Sequence, residues 1–381
     1  MLLVIGMAVV ADRVVISAIE QAPTLKFSNR PDLDSEIDGL VIGTARMAPG
    51  ATAFVAGPHG VWRGAAGIAN VETGETIRAN ARMRLESVSK IFTATLVLQL
   101  DQQGKLHVTD TVARWLPGLL RSYGSKITIR ELLTMSSGLI SDSDLGPGRA
   151  VFLRQLARVK DAKLRVYLTG LTKHAAASPT YPVDPIWLIR WAAWLPLLFR
   201  PGTGYHYSNL GYDILGLIAE RATRKPLSAL FQQYIFGPLG LKHTAYDPNG
   251  PIQGPHAHGY WIAANGKTTD TTDVHRGKGA DGGIVSDAQD TAMFLVDLTR
   301  GRLLDHKELA GMKGENLWLG GDATPCGGRA YGWRGAGNGY KTAVWVNGNG
   351  TRVAVLLLNA RHPPFDDTVA ADTLAYLYCN A

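Results

Sequence analysis

The stretch that decides the fold is RLESVSKIFTATLVLQLDQQG, residues 84–104. Apolar residues recur at helical spacing after Ser87, and Gly104 is a typical helix stop. A helix therefore begins at or beside Ser87, and the spacing of three residues places Lys90 one turn away on the same face. Burial of the Lys90 amine would lower its pKa and make it a base for the Ser87 hydroxyl. Backbone N–H groups at the helix start would also face a developing oxyanion.

A second motif, Tyr207-Ser208-Asn209, follows the turn sequence Pro201-Gly202-Thr203-Gly204 and precedes a helical pattern. A phenol beside an ammonium relays a proton, and an amide holds a substrate carbonyl, which suits acyl transfer. Each motif has a structural alternative when it is taken alone. Ser87 would be a helix cap with Lys90 in solvent, or Tyr207 a core aromatic with Asn209 as the helix N-cap.

Strand patterns stand at both ends of the chain, and helical patterns fill its middle. The predicted strands are Thr52–Ala56, Val61–Ala66, Ala330–Gly335, Thr342–Val346 and Thr351–Leu358. The predicted helices are 32–46, Ile127–Met135, Leu210–Thr223, Leu227–Ile235, Asp366–Cys379 and one through Asp297 that opens with a capping box, Ser286 and Gln289.

These patterns predict an α+β fold whose sheet is completed by both chain ends, with an all-helical lobe inserted between its halves. Residues 1–381 form one catalytic unit, with an α/β lobe at about 25–100 plus 280–381 and a helical lobe at about 101–279. The role of residues 140–200 stays open. Within them, the apolar pattern Trp187–Phe199 fits either a helix packed on the core or a pocket or membrane-facing wall.

Composition excludes several classes of function. The 381 residues are 46% hydrophobic, which describes a globular chain, and the net charge of +7 is scattered without a run of five like charges. A nucleic-acid partner is not predicted, because no basic stripe interleaves with aromatic residues. Two cysteines, Cys326 and Cys379, are too few for a disulfide framework or a thiolate metal site, and the redox compartment stays open.

The first residues, MLLVIGMAVV, form a short apolar stretch without a preceding basic residue. A cleavage site after Val9-Val10-Ala11 gives a weak export signal, and the localisation leans extracytoplasmic. A buried strand or a start codon misplaced within a longer leader are the alternatives. No integral membrane span is predicted, because no other segment reaches about 18 uninterrupted apolar residues.

In this order and spacing, the motifs resemble those of the serine β-lactamase superfamily, especially the branch of class C β-lactamases, DD-peptidases and related esterases. The resemblance covers roughly residues 45–360. It also includes the segments Glu131-Leu132-Leu133-Thr134, Ser137-Gly138-Leu139, Pro201-Gly202-Thr203 and Gly282-Gly283-Ile284-Val285-Ser286. It implies a β-lactamase/transpeptidase-like fold, in which an antiparallel sheet flanked by helices carries the helical lobe and the site lies between them.

The family's third motif, Lys-Thr-Gly or His-x-Gly, has two candidate positions here, Trp333-Arg334-Gly335 and Lys341-Thr342-Ala343. The first is preferred, because a glycine-rich turn follows it as in the family. The resemblance then implies that the N–H groups of Ser87 and Ala336 form the oxyanion hole. It also implies that Asn209, Trp333 and Gly335 contact the substrate.

Trp333 departs from the family pattern, because peptidases and β-lactamases of the family present Lys or His there to a substrate carboxylate. Arg334 does not replace that charge, since neighbouring strand residues point to opposite faces. The resemblance therefore implies an esterase-like serine hydrolase or acyl transferase, acting on a small ester or amide through a Ser87 acyl-enzyme with Lys90 and Tyr207 as catalytic partners. A D-Ala-D-Ala carboxypeptidase or β-lactamase is the alternative enzyme, and a catalytically inactive binding or sensor protein is the alternative of another class.

The predicted reaction needs neither a metal nor an organic cofactor. One group of possible metal ligands comprises His256, His258, Asp270, Asp273 and His275. The polar composition of a loop accounts for these residues, so no metal site is predicted.

Overall fold

The protein is described by a computed structural model over residues 27–42, 47–141, 159–174, 184–248, 250–274, 279–313, 320–337, 339–361 and 368–381. Strands in these ranges are β1 (Gly50–Gly57), β2 (Gly60–Asn70), β3 (Glu75–Thr76), β4 (Met83–Arg84), β5 (Ala245–Tyr246), β6 (Tyr260–Ile262), β7 (Thr268–Asp270), β8 (Ile284–Ser286), β9 (Gly320–Ala323), β10 (Arg329–Gly337), β11 (Tyr340–Asn347), β12 (Val353–Leu358) and β13 (Ala360–Arg361).

The helices are α1 (Pro31–Ile42), α2 (Ser89–Gln102), α3 (Val112–Trp115), α4 (Ile129–Leu133), α5 (Ala162–His174), α6 (Pro185–Ala192), α7 (Asn209–Thr223), α8 (Leu227–Phe231), α9 (Gly237–Leu239), α10 (Ala288–Thr299), α11 (His306–Met312) and α12 (Thr368–Cys379). A π-helical turn, Gln232–Phe236, joins α8 to α9. Within the described ranges, no helix has the length and apolar character needed to cross a membrane.

A seven-stranded antiparallel sheet forms the centre of the fold, in the order β3-β2-β1-β12-β11-β10-β9. Its first three strands come from residues 50–76 and its other four from residues 320–358, which confirms that both ends of the chain complete one sheet. Every residue of β1 and β12 is buried. Burial on both faces explains why these two strands read as continuous apolar runs.

Alternate residues of the central strands contribute to two different apolar layers. Ala53 and Leu356 lie in the layer with α1 and α12, whereas Phe54 and Val355 lie in the layer with α2 and α10. The period of two residues along each strand produces this division. The second layer lies next to the candidate nucleophile, because Ser87 is in the turn that leads into α2.

The predicted helix Trp187–Phe199 is shorter in the structure, where α6 ends at Ala192. Pro196 explains the early end, because proline cannot continue a helix and disfavours helical geometry in the residue before it. Trp191 is fully buried, and the other two indoles of the pattern pack against the same core cluster. The interpretation as a helix packed on the core is therefore confirmed.

The capping box predicted for Ser286 and Gln289 is wrong. Ser286 ends strand β8, and Asp287 caps α10 by accepting a hydrogen bond from the Asp290 N–H at 2.8 Å. The error has a local cause, since aspartate is as good an N-cap as serine and Asp287 directly follows Ser286. The small sheets β4-β8-β5 and β13-β6-β7 were not predicted, because strands of two or three residues are too short to show an alternating hydrophobic pattern.

The two cysteines form a disulfide between Cys326, in the turn after β9, and Cys379, at the end of α12. Their Cα atoms are 5.6 Å apart, although 53 residues separate them in the chain. The sequence correctly excludes a framework of several bridges, but it leaves this single bridge unpredicted. The bond fastens the edge of the sheet that carries β10 to the C-terminal helix.

We expect Cys326→Ser together with Cys379→Ser to lower the free energy of unfolding by about 2–4 kcal/mol, because the bond limits the freedom of the unfolded chain. Denaturant unfolding of the oxidised wild type and the double variant measures this difference. The wild type in a reducing agent should match the double variant. Equal stability of the oxidised wild type and the double variant would contradict the prediction.

Candidate active site

Ser87 lies in a short 3₁₀ turn, Glu86–Val88, that leads directly into α2. Glu86 has a φ of 53°, a left-handed conformation that is uncommon outside glycine. A hydrogen bond from the Leu85 N–H to the Ile284 carbonyl holds the chain just before this turn. The nucleophile candidate therefore sits on a sharp turn that tertiary contacts hold in place.

Three side chains meet at Ser87. The Tyr207 hydroxyl is hydrogen-bonded to Ser87 Oγ at 2.7 Å, and Lys90 Nζ donates to the same oxygen at 3.3 Å. Lys90 Nζ also lies 5.1 Å from the centre of the Tyr207 ring. The predicted group of Ser87, Lys90 and Tyr207 is thus within hydrogen-bond reach, although residue 207 comes from a different part of the chain.

The protonation of Lys90 differs from the sequence-based expectation. Burial lowers the pKa of the Lys90 ammonium, but attraction to the Tyr207 oxygen, Asp281 and Asp213 outweighs burial and raises the pKa above its ordinary value. The expectation of a neutral amine considered burial alone. The neighbouring Tyr207 oxygen and the two carboxylates reverse the direction of the pKa shift, which favours the charged ammonium.

The start of α7 places Tyr207. Ser208 caps the helix, because its Oγ accepts from the Gly211 N–H at 3.4 Å and donates to the Ile140 carbonyl at 3.0 Å. Asn209 is the first residue of α7, and its N–H donates to Ser141 Oγ at 3.3 Å. The alternative in which Asn209 caps the helix is therefore wrong, since Ser208 fills that position.

Gly335 on β10 packs directly against the nucleophile turn. A Cβ atom at this position would lie 2.4 Å from the Leu85 carbonyl oxygen and 2.9 Å from the Ser87 nitrogen. A side chain would therefore push the strand away from Ser87. The close approach leaves Ala336, the next residue, beside the turn that carries the other predicted oxyanion-hole donor.

The register of β10 separates the two candidate third motifs. Trp333 pairs with Val344 and Gly335 with Thr342, on the face of the sheet that carries the nucleophile. The backbone pairing places Arg334 and Lys341 on the opposite face, where both line a small cavity beside α12. Arg334 also lines the open cavity that Trp333 borders at the edge of the sheet. The preference for Trp333-Arg334-Gly335 agrees with the strand register.

Trp333 lies beside the catalytic group. Its ring is nearly parallel to that of Tyr207, with the ring centres 6.4 Å apart and the planes at 10°. Both rings border an open cavity of about 370 Å³, which Asp322 of β9 and Arg334 of β10 also line. Trp333 therefore places an aromatic ring at the position where peptidases of the family present a cation.

Potential metal ligands lie in two other places. His258 Nδ1 is 2.6 Å from Asp270, while His275, of the same predicted group, lies outside the described residues. Among the residues described, His243, Asp287 and Asp290 also lie close enough to share an ion. The hydrogen bonds of these two carboxylates at the start of α10 give them a structural role, so they suggest no catalytic metal.

Sequence reasoning missed Asp281. Its backbone carbonyl accepts a hydrogen bond from Lys90 Nζ at 2.9 Å, and its Oδ2 lies 3.5 Å from the same nitrogen. The two residues are 191 positions apart in the sequence. The hydrophobic pattern around Asp281 gives no indication that it lies near Lys90. Only its position just before the glycines of the segment 282–286 offered a signal.

The chain is similar to several known proteins. The Beta-lactamase family matches residues 40–378. Esterase EstB of Burkholderia gladioli is 34% identical over 207 residues, covering 53% of this chain and 48% of that protein. N-acetylmuramyl-L-alanine amidase of Bacillus subtilis is 28% identical over 312 residues, covering 73% of this chain and 64% of the amidase. The chain thus matches about half of the first of these curated relatives and just under two thirds of the second.

Among solved structures, a D-stereospecific amidohydrolase from Streptomyces superposes with a TM-score of 0.72 at 24% identity, over 91% of this chain and 98% of that one. This similarity supports the β-lactamase/transpeptidase-like fold. The family match extends over most of the chain, and the chain belongs to the Beta-lactamase family.

Proposed function

We propose that the protein hydrolyses or transfers the acyl group of small uncharged esters through an acyl-enzyme on Ser87. The observation that carries this proposal is the Trp333 indole beside Tyr207, where a carboxylate-binding enzyme needs a cation. The similarity to an esterase supports the same substrate class. Amides are the harder substrates for such a site, because an amine is a poorer leaving group than an alkoxide.

Acylation begins in a form of the site from which the Lys90–Tyr207 pair has lost one proton. We place the negative charge on Tyr207, whose oxygen accepts the Ser87 proton across 2.7 Å, because the Asp281 carboxylate beside Lys90 stabilises the ammonium. Ser87 Oγ attacks the carbonyl carbon, and the carbonyl electron pair moves to oxygen. The N–H groups of Ser87 and Ala336 bind this oxyanion, which is how such donors lower the barrier.

Collapse of the tetrahedral intermediate breaks the bond to the leaving group, which takes the proton from Tyr207. Water or another hydroxyl compound then enters, gives a proton to Tyr207 and attacks the acyl carbon. Ser87 leaves with that proton, so the enzyme regains its starting form. Lys90 acts throughout as a fixed positive charge that stabilises the phenolate.

We expect the wild type to prefer p-nitrophenyl butyrate over nitrocefin and a D-Ala-D-Ala peptide, both of which carry a free carboxylate. Trp333→His should raise kcat/KM for the two carboxylate substrates about 10- to 100-fold, since a hydrogen bond to a charged group is worth about 1.5–3 kcal/mol. Assays at pH 6 keep most of an unperturbed histidine protonated.

Trp333→Phe is the matched control, because it keeps an apolar ring and adds no charge. It should leave the preference for the ester intact. If the wild type uses peptide and ester equally well and Trp333→His changes neither rate, the D-Ala-D-Ala carboxypeptidase assignment replaces ours. A wild type that a fluorophosphonate fails to label at Ser87 would instead be a binding or sensor protein.

An extracytoplasmic location forms part of the same proposal. The bond between Cys326 and Cys379 supports it, because structural disulfides persist mainly in oxidising compartments. The segment that gave the weak export signal lies outside the described residues. The division into an α/β lobe and a helical lobe likewise stays a prediction.

A further inference from the structure

The loop 279–283 is fastened to α2 on both sides of Lys90. Thr93 Oγ1 donates to the Ala280 carbonyl at 2.6 Å, and Ser89 Oγ accepts from the Ile284 N–H at 3.1 Å. Both bonds are buried, and they come from residues one before and three after the lysine. The loop therefore keeps a fixed position behind the Lys90 amine.

Asp281 is the residue of this loop that meets the amine. Its carbonyl oxygen accepts from Lys90 Nζ at 2.9 Å, and its carboxylate Oδ2 lies 3.5 Å from Nζ. The lysine side chain is fully buried and that of Asp281 is 12% exposed. A buried ammonium is costly without an opposite charge, so this carboxylate has an electrostatic role that the carbonyl alone does not fill.

Two further contacts hold the Asp281 carboxylate and backbone. Oδ1 of Asp281 accepts from the Gly279 N–H at 3.2 Å, and the Asp281 N–H donates to Asp213 Oδ1 on α7 at 3.4 Å. A Cβ atom at position 279 would lie 2.1 Å from Asp213 Oδ1, so only glycine permits this packing. The carboxylate is thus pre-positioned from the side opposite Ser87.

We propose that Asp281 is a positioning residue of the reaction, whose carboxylate anchors the Lys90 ammonium beside Ser87 and sets the pH range in which the Lys90–Tyr207 pair accepts the nucleophile's proton. This inference rests on the proposed function. Asp281 acts through Lys90 and touches neither the nucleophile nor the cavity beside Trp333. Its loss should therefore change proton transfer more than substrate binding.

The sign of the pH effect follows from the charges around Lys90. The groups facing the amine are Ser87 and Tyr207, the Tyr212 ring at 5.9 Å, and the carboxylates of Asp213 and Asp281. Removal of one negative charge makes every proton loss from the Lys90–Tyr207 pair easier, whichever of the two groups releases it. Both limbs of the activity profile must then move to lower pH.

Asp281→Asn tests this inference, because asparagine keeps the shape and the backbone carbonyl and removes only the charge. We expect both limbs of the pH profile of kcat/KM for p-nitrophenyl butyrate to shift down by about 1–3 pH units, the usual effect of a close charge. KM at each optimum should change less than about twofold. Asp281→Glu should return the profile most of the way to that of the wild type.

Asp297→Asn is the matched control, since Asp297 is another buried aspartate with a cationic partner, Arg302 at 3.0 Å. Asp297→Asn should leave the pH profile of kcat/KM unchanged. If Asp281→Asn does not fold, Asp281→Ser replaces it, because a hydroxyl still accepts from the Gly279 N–H. An equal loss of activity at every pH, or an unmoved profile, would overturn the positioning role.

Labelling of Ser87 by a fluorophosphonate separates the two hypotheses. A wild type that remains unlabelled and inactive on esters would remove the proposed function and this inference together. A labelled, active wild type whose profile Asp281→Asn leaves unchanged would overturn only the role of Asp281. A labelled wild type with a shifted Asp281→Asn profile supports both.

Discussion

Ser87→Ala will reduce turnover of the best ester substrate by at least about 10⁴-fold, because the variant has no atom to form the acyl-enzyme. The fold should survive the change. Lys90 keeps its hydrogen bond to the Asp281 carbonyl, and the alanine methyl fits where the serine side chain stood. Steady-state kinetics, intact-protein mass spectrometry after fluorophosphonate treatment and thermal unfolding measure the three consequences.

Ser136→Ala is a suitable control, since the Ser136 hydroxyl is hydrogen-bonded to the Thr134 hydroxyl at 2.8 Å. It should retain both turnover and labelling. Folded Ser87→Ala protein that hydrolyses the ester at the wild-type rate would remove Ser87 from the mechanism. The serine hydrolase would then require another nucleophile.

Tyr207→Phe will lower the acylation rate by about 10²–10⁴-fold, the usual contribution of a general base. The substitution removes only the oxygen that lies 2.7 Å from Ser87 Oγ. It keeps the ring that faces Trp333, so KM should change little. Single-turnover measurement of acyl-enzyme formation isolates this step from deacylation.

Tyr205→Phe provides the matched control, because Tyr205 is an exposed tyrosine two residues away. Its acylation rate should equal that of the wild type. Wild-type acylation by Tyr207→Phe would show that the phenol takes no proton. In that case Lys90 would have to act as the base despite its neighbouring carboxylates, and the mechanism proposed above would be wrong.

Features that depend on local geometry can be predicted from the sequence. Ser87 and Lys90 share a helix face because three residues make nearly one helical turn. The buried strands β1 and β12 can be predicted from the sequence because burial on both faces favours a continuous apolar run. The family resemblance indicates Trp333-Arg334-Gly335 as the third motif, because a glycine-rich turn follows it, and the strand register agrees.

Features that depend on residues far apart in the chain required the folded structure. The pKa of Lys90 is raised by Tyr207 and Asp281, which lie 117 and 191 residues away in the chain, whereas burial alone predicts a lowered pKa. The disulfide joins residues 53 positions apart, for which spacing gives no rule. The sequence specifies which titratable groups are present. Their protonation depends on electrostatic energy, which is set by distances in space and therefore by the neighbours that folding brings to them.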